Sequence, residues 1–229
     1  MGNEKIQSGL LNLMESQHEV ELMSFYQSLP LTYRGMITEV GEDQVTLIAQ
    51  PPDSVCLAWE KKAYILAPEP LELLEADVLE FDVVSGTVKL HNLRYGGSQL
   101  GHRMITRVIP KEPLVAELRT GGVESEVMLI NLSIQGAGLQ LDLSKSTLKL
   151  QRGQTASVTL VLPDAPITAQ GRVQALSQEG EMQYFSLIFD EQTTTIRPIW
   201  QYVSRRRMEI LQEVQDKYLQ AYMEQAAGQ

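Results

Sequence analysis

The sequence predicts an all-β protein of two small antiparallel β-barrels followed by a long C-terminal α-helix. Three observations carry that reading. Short runs of alternating apolar residues recur across 18–93 and again across 114–189. A Gly-rich stretch, Arg94-Tyr-Gly-Gly-Ser-Gln-Leu-Gly101, separates the two sets, and residues 199–227 contain neither Gly nor Pro.

Residues 4–16 place Ile6, Leu10, Leu13 and Met14 at helical spacing, which predicts a short amphipathic helix. Strand patterns follow at 18–25, with Val20 and Leu22 on one side, at 33–40, and at 44–49, where Val45, Leu47 and Ala49 share a face. Gly41-Glu-Asp-Gln reads as a turn, and Pro51-Pro52 stops the third run. Runs at 63–67, 76–84 and 87–93, the last two joined at Ser85-Gly86, complete about six strands and argue for a small barrel. The second set lies at 114–118, 126–131, 138–141, 155–162, 168–176 and 183–189, with breaks at Gly153, Pro163 and Gly180. The expected division is a barrel over 1–94, a linker over 95–102, a second barrel over 103–190 and a helix over 191–229.

The helix opens on Thr193-Thr-Thr195, whose hydroxyls suit an N-cap, with Pro198 in the first turn where a missing N–H costs nothing. Ile196, Ile199, Val203, Ile210 and Val214 form one stripe, which Trp200, Leu211, Tyr218 and Tyr222 widen. About 30 residues span about 45 Å at 1.5 Å each, longer than a barrel of roughly 26 Å. Either the helix folds back on its barrel or its distal half packs against a partner helix, as in a homodimer. Trp59 and Trp200 are expected as core or interface anchors, and Arg205-Arg-Arg207 as a solvated face.

Composition narrows the function. Hydrophobic residues make up 43% and charged residues 21% of 229, a globular mixture. Residues 1–90 hold five Lys/Arg against fifteen Asp/Glu, which accounts for the whole net charge of −10, since nine of each sign lie in 91–190 and five of each in 191–229. An acidic half disfavours nucleic-acid polymers and anionic membranes but leaves room for a small anion in the neutral half. No apolar run approaches about 18 residues, so a cytoplasmic protein is expected. The lone Cys56 and the scattered His18, His91 and His102 offer no metal-ligand spacing. Nucleophile-elbow, Walker and HExxH motifs are missing, so an enzyme is not expected.

The strongest constellation is Arg103-Met-Ile-Thr-Arg107 followed by Asn131-Leu-Ser-Ile-Gln-Gly136. With eleven Arg in 229 residues, one RxxxR is near chance; the composition gives only roughly 0.05 expected matches to the second pattern. Both together in this order are far from chance. Arginine binds phosphate bidentately and stacks its guanidinium on a purine face. The amide of Asn131 and hydroxyl of Ser133 can meet the edge of a base, and Gly136 lets a backbone approach closely. Taken singly, Asn131-x-Ser133 is also an Asx-turn pattern, and Arg103 and Arg107 are also solvated linker charges.

The pair resembles the signature of PilZ domains, RxxxR and then [DN]xSxxG, a family that binds the bacterial second messenger cyclic di-GMP. The resemblance covers roughly 95–205; Val108, the strand with Val127, Leu129 and Ile130, and Ser186-Leu-Ile-Phe189 also fit it. It implies that Arg103 and Arg107 hold phosphate and stack guanine, that Asn131 and Ser133 read guanine, and that Gly136 provides clearance. Met104 and Gln135 stand where the family often has Arg and Gly, and neither removes a motif position. The N-terminal half is similar to the extra barrel of flagellar-brake-type PilZ proteins, through strand order and residues 54–65.

The resemblance implies a receptor whose linker, 96–102, with Leu100, Gly101 and His102 as its switch, closes over cyclic di-GMP, reorients the barrels and changes contacts with a protein partner. It implies no cofactor. The alternative is a nucleotide-independent interaction module with a degenerate barrel.

Overall fold

In the computed structural model the described residues are 2–67, 73–96, 105–190 and 196–227. Leu100, Gly101, His102 and Arg103, named above for the linker and the site, lie outside them. Contacts divide the chain into one unit of Met1–Ile105 with Ile210–Gln229 and a second of Thr106–Glu209.

The first unit opens with α1 (Gly2–Glu15), whose Ile6 and Leu10 are buried against the strands. Strands β1 (Glu19–Tyr26), β2 (Leu29–Val40), β3 (Gln44–Ala49), β4 (Lys62–Leu66), β5 (Leu73–Phe81) and β6 (Thr87–Tyr95) close into an antiparallel barrel in the order β1-β2-β3-β6-β5-β4. Alternate residues point inward, so Val45, Leu47 and Ala49 of β3 are buried while Gln44 and Ile48 are exposed. One helical element escapes the sequence pattern. A 3₁₀ turn at Asp53–Val55 runs into α2 (Cys56–Glu60), where Cys56 and Leu57 are fully buried. A single turn is too short to display a 3.6-residue period.

The second unit repeats the same plan. Strands β7 (Leu114–Thr120), β8 (Val123–Ser133), β9 (Gly136–Asp142), β10 (Thr155–Val161), β11 (Pro166–Glu179) and β12 (Met182–Phe189) close in the order β7-β8-β9-β12-β11-β10. Renumbered from its own first strand, that circuit is identical to the first barrel. Two bulges correspond too, while β5–β6 shifts once more between Glu75 and Asp77. β2–β3 shifts register between Ile37 and Glu39, and β8–β9 between Leu129 and Asn131. β5–β6 shifts between Val78 and Glu80, and β11–β12 between Val173 and Ala175.

The helix α3 (Ile196–Ala227) is a single element of 32 residues. Residues 196–209 pack within the second unit and residues 210–227 within the first. Ile199, Val203, Ile210 and Val214 are buried as their spacing requires, and so is Arg206, at 4% exposure. Arg206 therefore departs from the solvated face expected of 205–207. The buried stripe advances 199–203–206–210–214, and position 206 belongs to it. Trp59 is 40% exposed and lies tilted at 50° against Tyr26 with ring centroids 5.8 Å apart, with Lys217 Nζ 4.7 Å from its ring centroid.

Candidate functional site

The site is assembled around the β8–β9 hairpin. Before β7, Val108 forms an isolated antiparallel bridge to Leu132: each N–H donates to the other carbonyl at 3.0 Å. Both side chains are fully buried. The bridge sets half-buried Arg107 beside the stretch that holds Asn131 and Ser133, so residues 24 apart in sequence become neighbours. The next residue is secured from the helix, where buried Arg206 donates from Nε to the carbonyl of Ile109 at 3.0 Å and from Nη1 to Glu209 at 3.1 Å.

The motif residues divide their duties. Ser133 is 4% exposed; its hydroxyl donates to the Gly136 carbonyl at 3.1 Å and accepts from the Gln135 N–H at 3.3 Å. Its hydrogen-bonding capacity thus goes into the hairpin turn. Gly136 pairs with Ser133 on one side and Ile188 on the other. A Cβ there would overlap the carbonyl of Leu187, so the clearance this glycine supplies is toward β12.

Asn131 is different. It is half-buried at the end of the β8 bulge and pairs with Gly138, and no side chain or backbone group hydrogen-bonds its amide among the described residues. Gly138 was not among the candidates from sequence, yet a Cβ at that position would sit 2.9 Å from the Asn131 amide. The signal was present as the second glycine of Gly136-Ala-Gly138.

From Asn131 the register continues outward along one row: Gly138 opposite Asn131, Ser186 opposite Gly138, Ala175 opposite Ser186. Every member after Asn131 is small, so the outer face here is a shelf without projecting side chains. Gln140 and Tyr184, joined at 3.4 Å, border one side, and exposed Ile188 and Arg172 the other.

The first barrel supplies an internal control. Its equivalent row, taken at the same bulges, is Glu39, Thr46, Lys89 and Glu80. There Lys89 pairs with Glu80 at 2.7 Å and the Thr46 hydroxyl lies 3.5 Å from Glu39. Acidic, long side chains occupy the row that the second barrel clears. The cation of the first barrel's row, Lys89, is already paired with Glu80, whereas the second barrel's row is clear of long side chains.

Among the described residues no group of His, Cys, Asp and Glu is placed to hold a metal ion, and no helix is long and apolar enough to cross a membrane. Burial, with a smaller contribution from the negative charges of Asp53 and Glu60, pushes the Cys56 thiol up to about 12, which keeps it protonated and unreactive at neutral pH.

No curated protein sequence matches the chain significantly. Solved structures do. YcgR of Escherichia coli in complex with c-di-GMP is 15% identical, with 93% of this chain and 92% of that chain covered and a TM-score of 0.41. The MrkH–c-di-GMP complex of K. pneumonia is 13% identical, with 94% and 96% covered and a TM-score of 0.42. The inhibitor of motility MotI/DgrA of Bacillus subtilis is 12% identical, with 84% and 97% covered and a TM-score of 0.42. The profile of the PilZ domain matches residues 102–205, the span that holds both motifs and the shelf. This chain carries a PilZ domain, and its second barrel belongs to that family.

Proposed function

We propose that the second barrel is a receptor for cyclic di-GMP. The observation that carries this reading is the cleared row from Asn131 to Ala175 beside Arg107, set against the filled and acidic row of the first barrel. The ligand presents two flat guanines and two phosphodiester charges. A guanine lies face-down over Gly138, Ser186 and Ala175, where no Cγ obstructs it. The Asn131 amide, which no hydrogen bond engages among the described residues, meets the edge of that base. Arg103 and Arg107 hold phosphate and stack on guanine. Ser133 and Gly136 act one step back by fixing the hairpin on which Asn131 stands.

The reading extends to signalling. Ligand binding acts through the linker 95–102, including Leu100, Gly101 and His102, to alter the barrels' mutual orientation and the contacts made with a protein partner in the cytoplasm. No cofactor and no chemical step are required. Small-angle scattering with and without nucleotide tests the reorientation; superimposable curves at saturation would refute it.

Calorimetric titration of cyclic di-GMP into the wild type and Arg103→Ala tests the receptor itself. Saturable binding that weakens at least tenfold in the variant is the expected result. Absence of binding to the wild type would leave the domain as a nucleotide-independent interaction module.

A further inference from the structure

Among the described residues, every lysine or arginine on a strand is held by an acid, with one exception. Arg34 pairs with Glu19, Lys62 and Arg94 with Glu75, Lys89 with Glu80, and Arg119 with Glu117 and Glu124. The exception is Arg172 of β11, which is exposed and makes no ion pair or hydrogen bond with any described residue. An unpaired cation adds nothing to the pairing of its strand.

Register places this arginine at the shelf. Gly171 and Val173 are buried, so Arg172 points outward. It pairs with Ile188, which pairs in turn with Gly136. Ile188 stands two residues along β12 from Ser186 of the shelf, about 7 Å at the usual strand rise. The shelf itself crosses from β8 to β11, three strand spacings or about 14 Å. Arg107 stands beside its β8 end and Arg172 beside its β11 end. Neither the shelf nor the row of Arg172, Ile188 and Gly136 carries an acid.

The first barrel again supplies the contrast. The residue before the matching bulge there is Asp77, opposite His91 as Arg172 is opposite Ile188. Asn92 donates to the Asp77 carboxylate at 3.0 Å, and Arg94 lies 3.8 Å from it. One barrel has an acid held within the fold at this position, and the other has a cation that the fold leaves unheld.

We propose, resting on the receptor reading above, that Arg172 is a further ligand-binding residue whose guanidinium grips a phosphodiester of cyclic di-GMP from the β11 side of the shelf. It belongs to neither sequence motif. With Arg107 at the β8 side, the nucleotide meets cations from both ends of the shelf, and each charge-assisted bond forms without breaking an ion pair of the fold.

Calorimetric titration of cyclic di-GMP into the full chain tests this. Arg172→Gln is expected to weaken binding about tenfold, with an unchanged melting temperature because no described residue engages the side chain. Arg172→Lys keeps the charge and is expected to lose less. Arg119→Gln removes an equal charge from β7, a strand outside the shelf, and is expected to bind as the wild type does. Equal affinity of the wild type and Arg172→Gln, an equal loss in Arg119→Gln, or a lysine variant as weak as the glutamine one would each overturn the assignment of Arg172 alone. A wild type that does not bind would overturn the receptor reading together with it.

Discussion

Val108, which lies outside the named strands, and Leu132 of β8 exchange two backbone hydrogen bonds of 3.0 Å. The arrangement does more than join two buried side chains. It ties the segment carrying the second motif arginine to the strand carrying Asn131, so the two halves of the signature share one anchor. Arg206 adds a second tie one residue later, at the carbonyl of Ile109. Backbone pairing and the helix together hold this segment in place.

Two glycines separated by one residue should respond differently to substitution. Gly138→Thr installs the residue of the equivalent first-barrel position, and its Cβ meets first the movable Asn131 amide. It is expected to weaken cyclic di-GMP binding at least tenfold with a stability change under about 1 kcal/mol. Gly136→Ala drives a Cβ into the Leu187 backbone and is expected to destabilise the domain by about 1–3 kcal/mol. Thermal denaturation and ligand titration of the two variants read this contrast.

Arg206→Ala removes a buried donor and leaves the Ile109 carbonyl without it. Loss of such a charge-assisted bond costs about 1.5–3 kcal/mol, and nucleotide affinity should fall although Arg206 is not assigned to the ligand. Chemical denaturation beside titration checks both effects. Arg207→Ala, one residue along on the exposed face, is expected to leave stability unchanged.

Acid should erode the first barrel through Glu75. Hydrogen bonds from Lys62 at 3.0 Å and Arg94 at 2.6 Å hold its carboxyl below the usual carboxylate range. A lowered folded-state value means the contribution is complete above the ordinary value near 4.3 and is lost as pH falls through the lowered one. Lys62 and Arg94 are about half exposed, so the effect stays within about 1 kcal/mol. Glu75→Gln should flatten the acid limb of the stability curve between about pH 5 and 3, measured by denaturant unfolding.

The Ser54 hydroxyl is fully buried and has no hydrogen-bond partner among the described residues. Burying an unsatisfied hydroxyl costs about 1–3 kcal/mol. Ser54→Ala should therefore raise the melting temperature, and a lower one would show that the hydroxyl is satisfied.

Much of this architecture was legible because barrel strands advertise themselves. Val45, Leu47 and Ala49 alternate with polar neighbours, and turn residues separate each run from the next. The sequence motifs named Arg107, Asn131, Ser133 and Gly136, and the Val108–Leu132 bridge and the β8–β9 hairpin bring these residues into one region. What stayed hidden depends on pairing across strands. Gly138, Ser186 and Ala175 are unremarkable singly and become a shelf only through register around two bulges. Arg206 looked like one cation of three because its neighbours Arg205 and Arg207 are exposed; only its phase on the helix separated it. The α2 turn was too short to carry a period, and the distal half of α3 gave no sequence sign of packing within the first unit.

The central claim is that the second barrel's cleared row, and not its first-barrel counterpart, holds the nucleotide. Amide hydrogen exchange with and without saturating cyclic di-GMP tests it most directly. Slowed exchange at residues 105–108 and 131–138, with no change across 39–46 of the equivalent first-barrel hairpin, is the result expected. Protection absent from 131–138, or of equal size in both hairpins, would contradict the account.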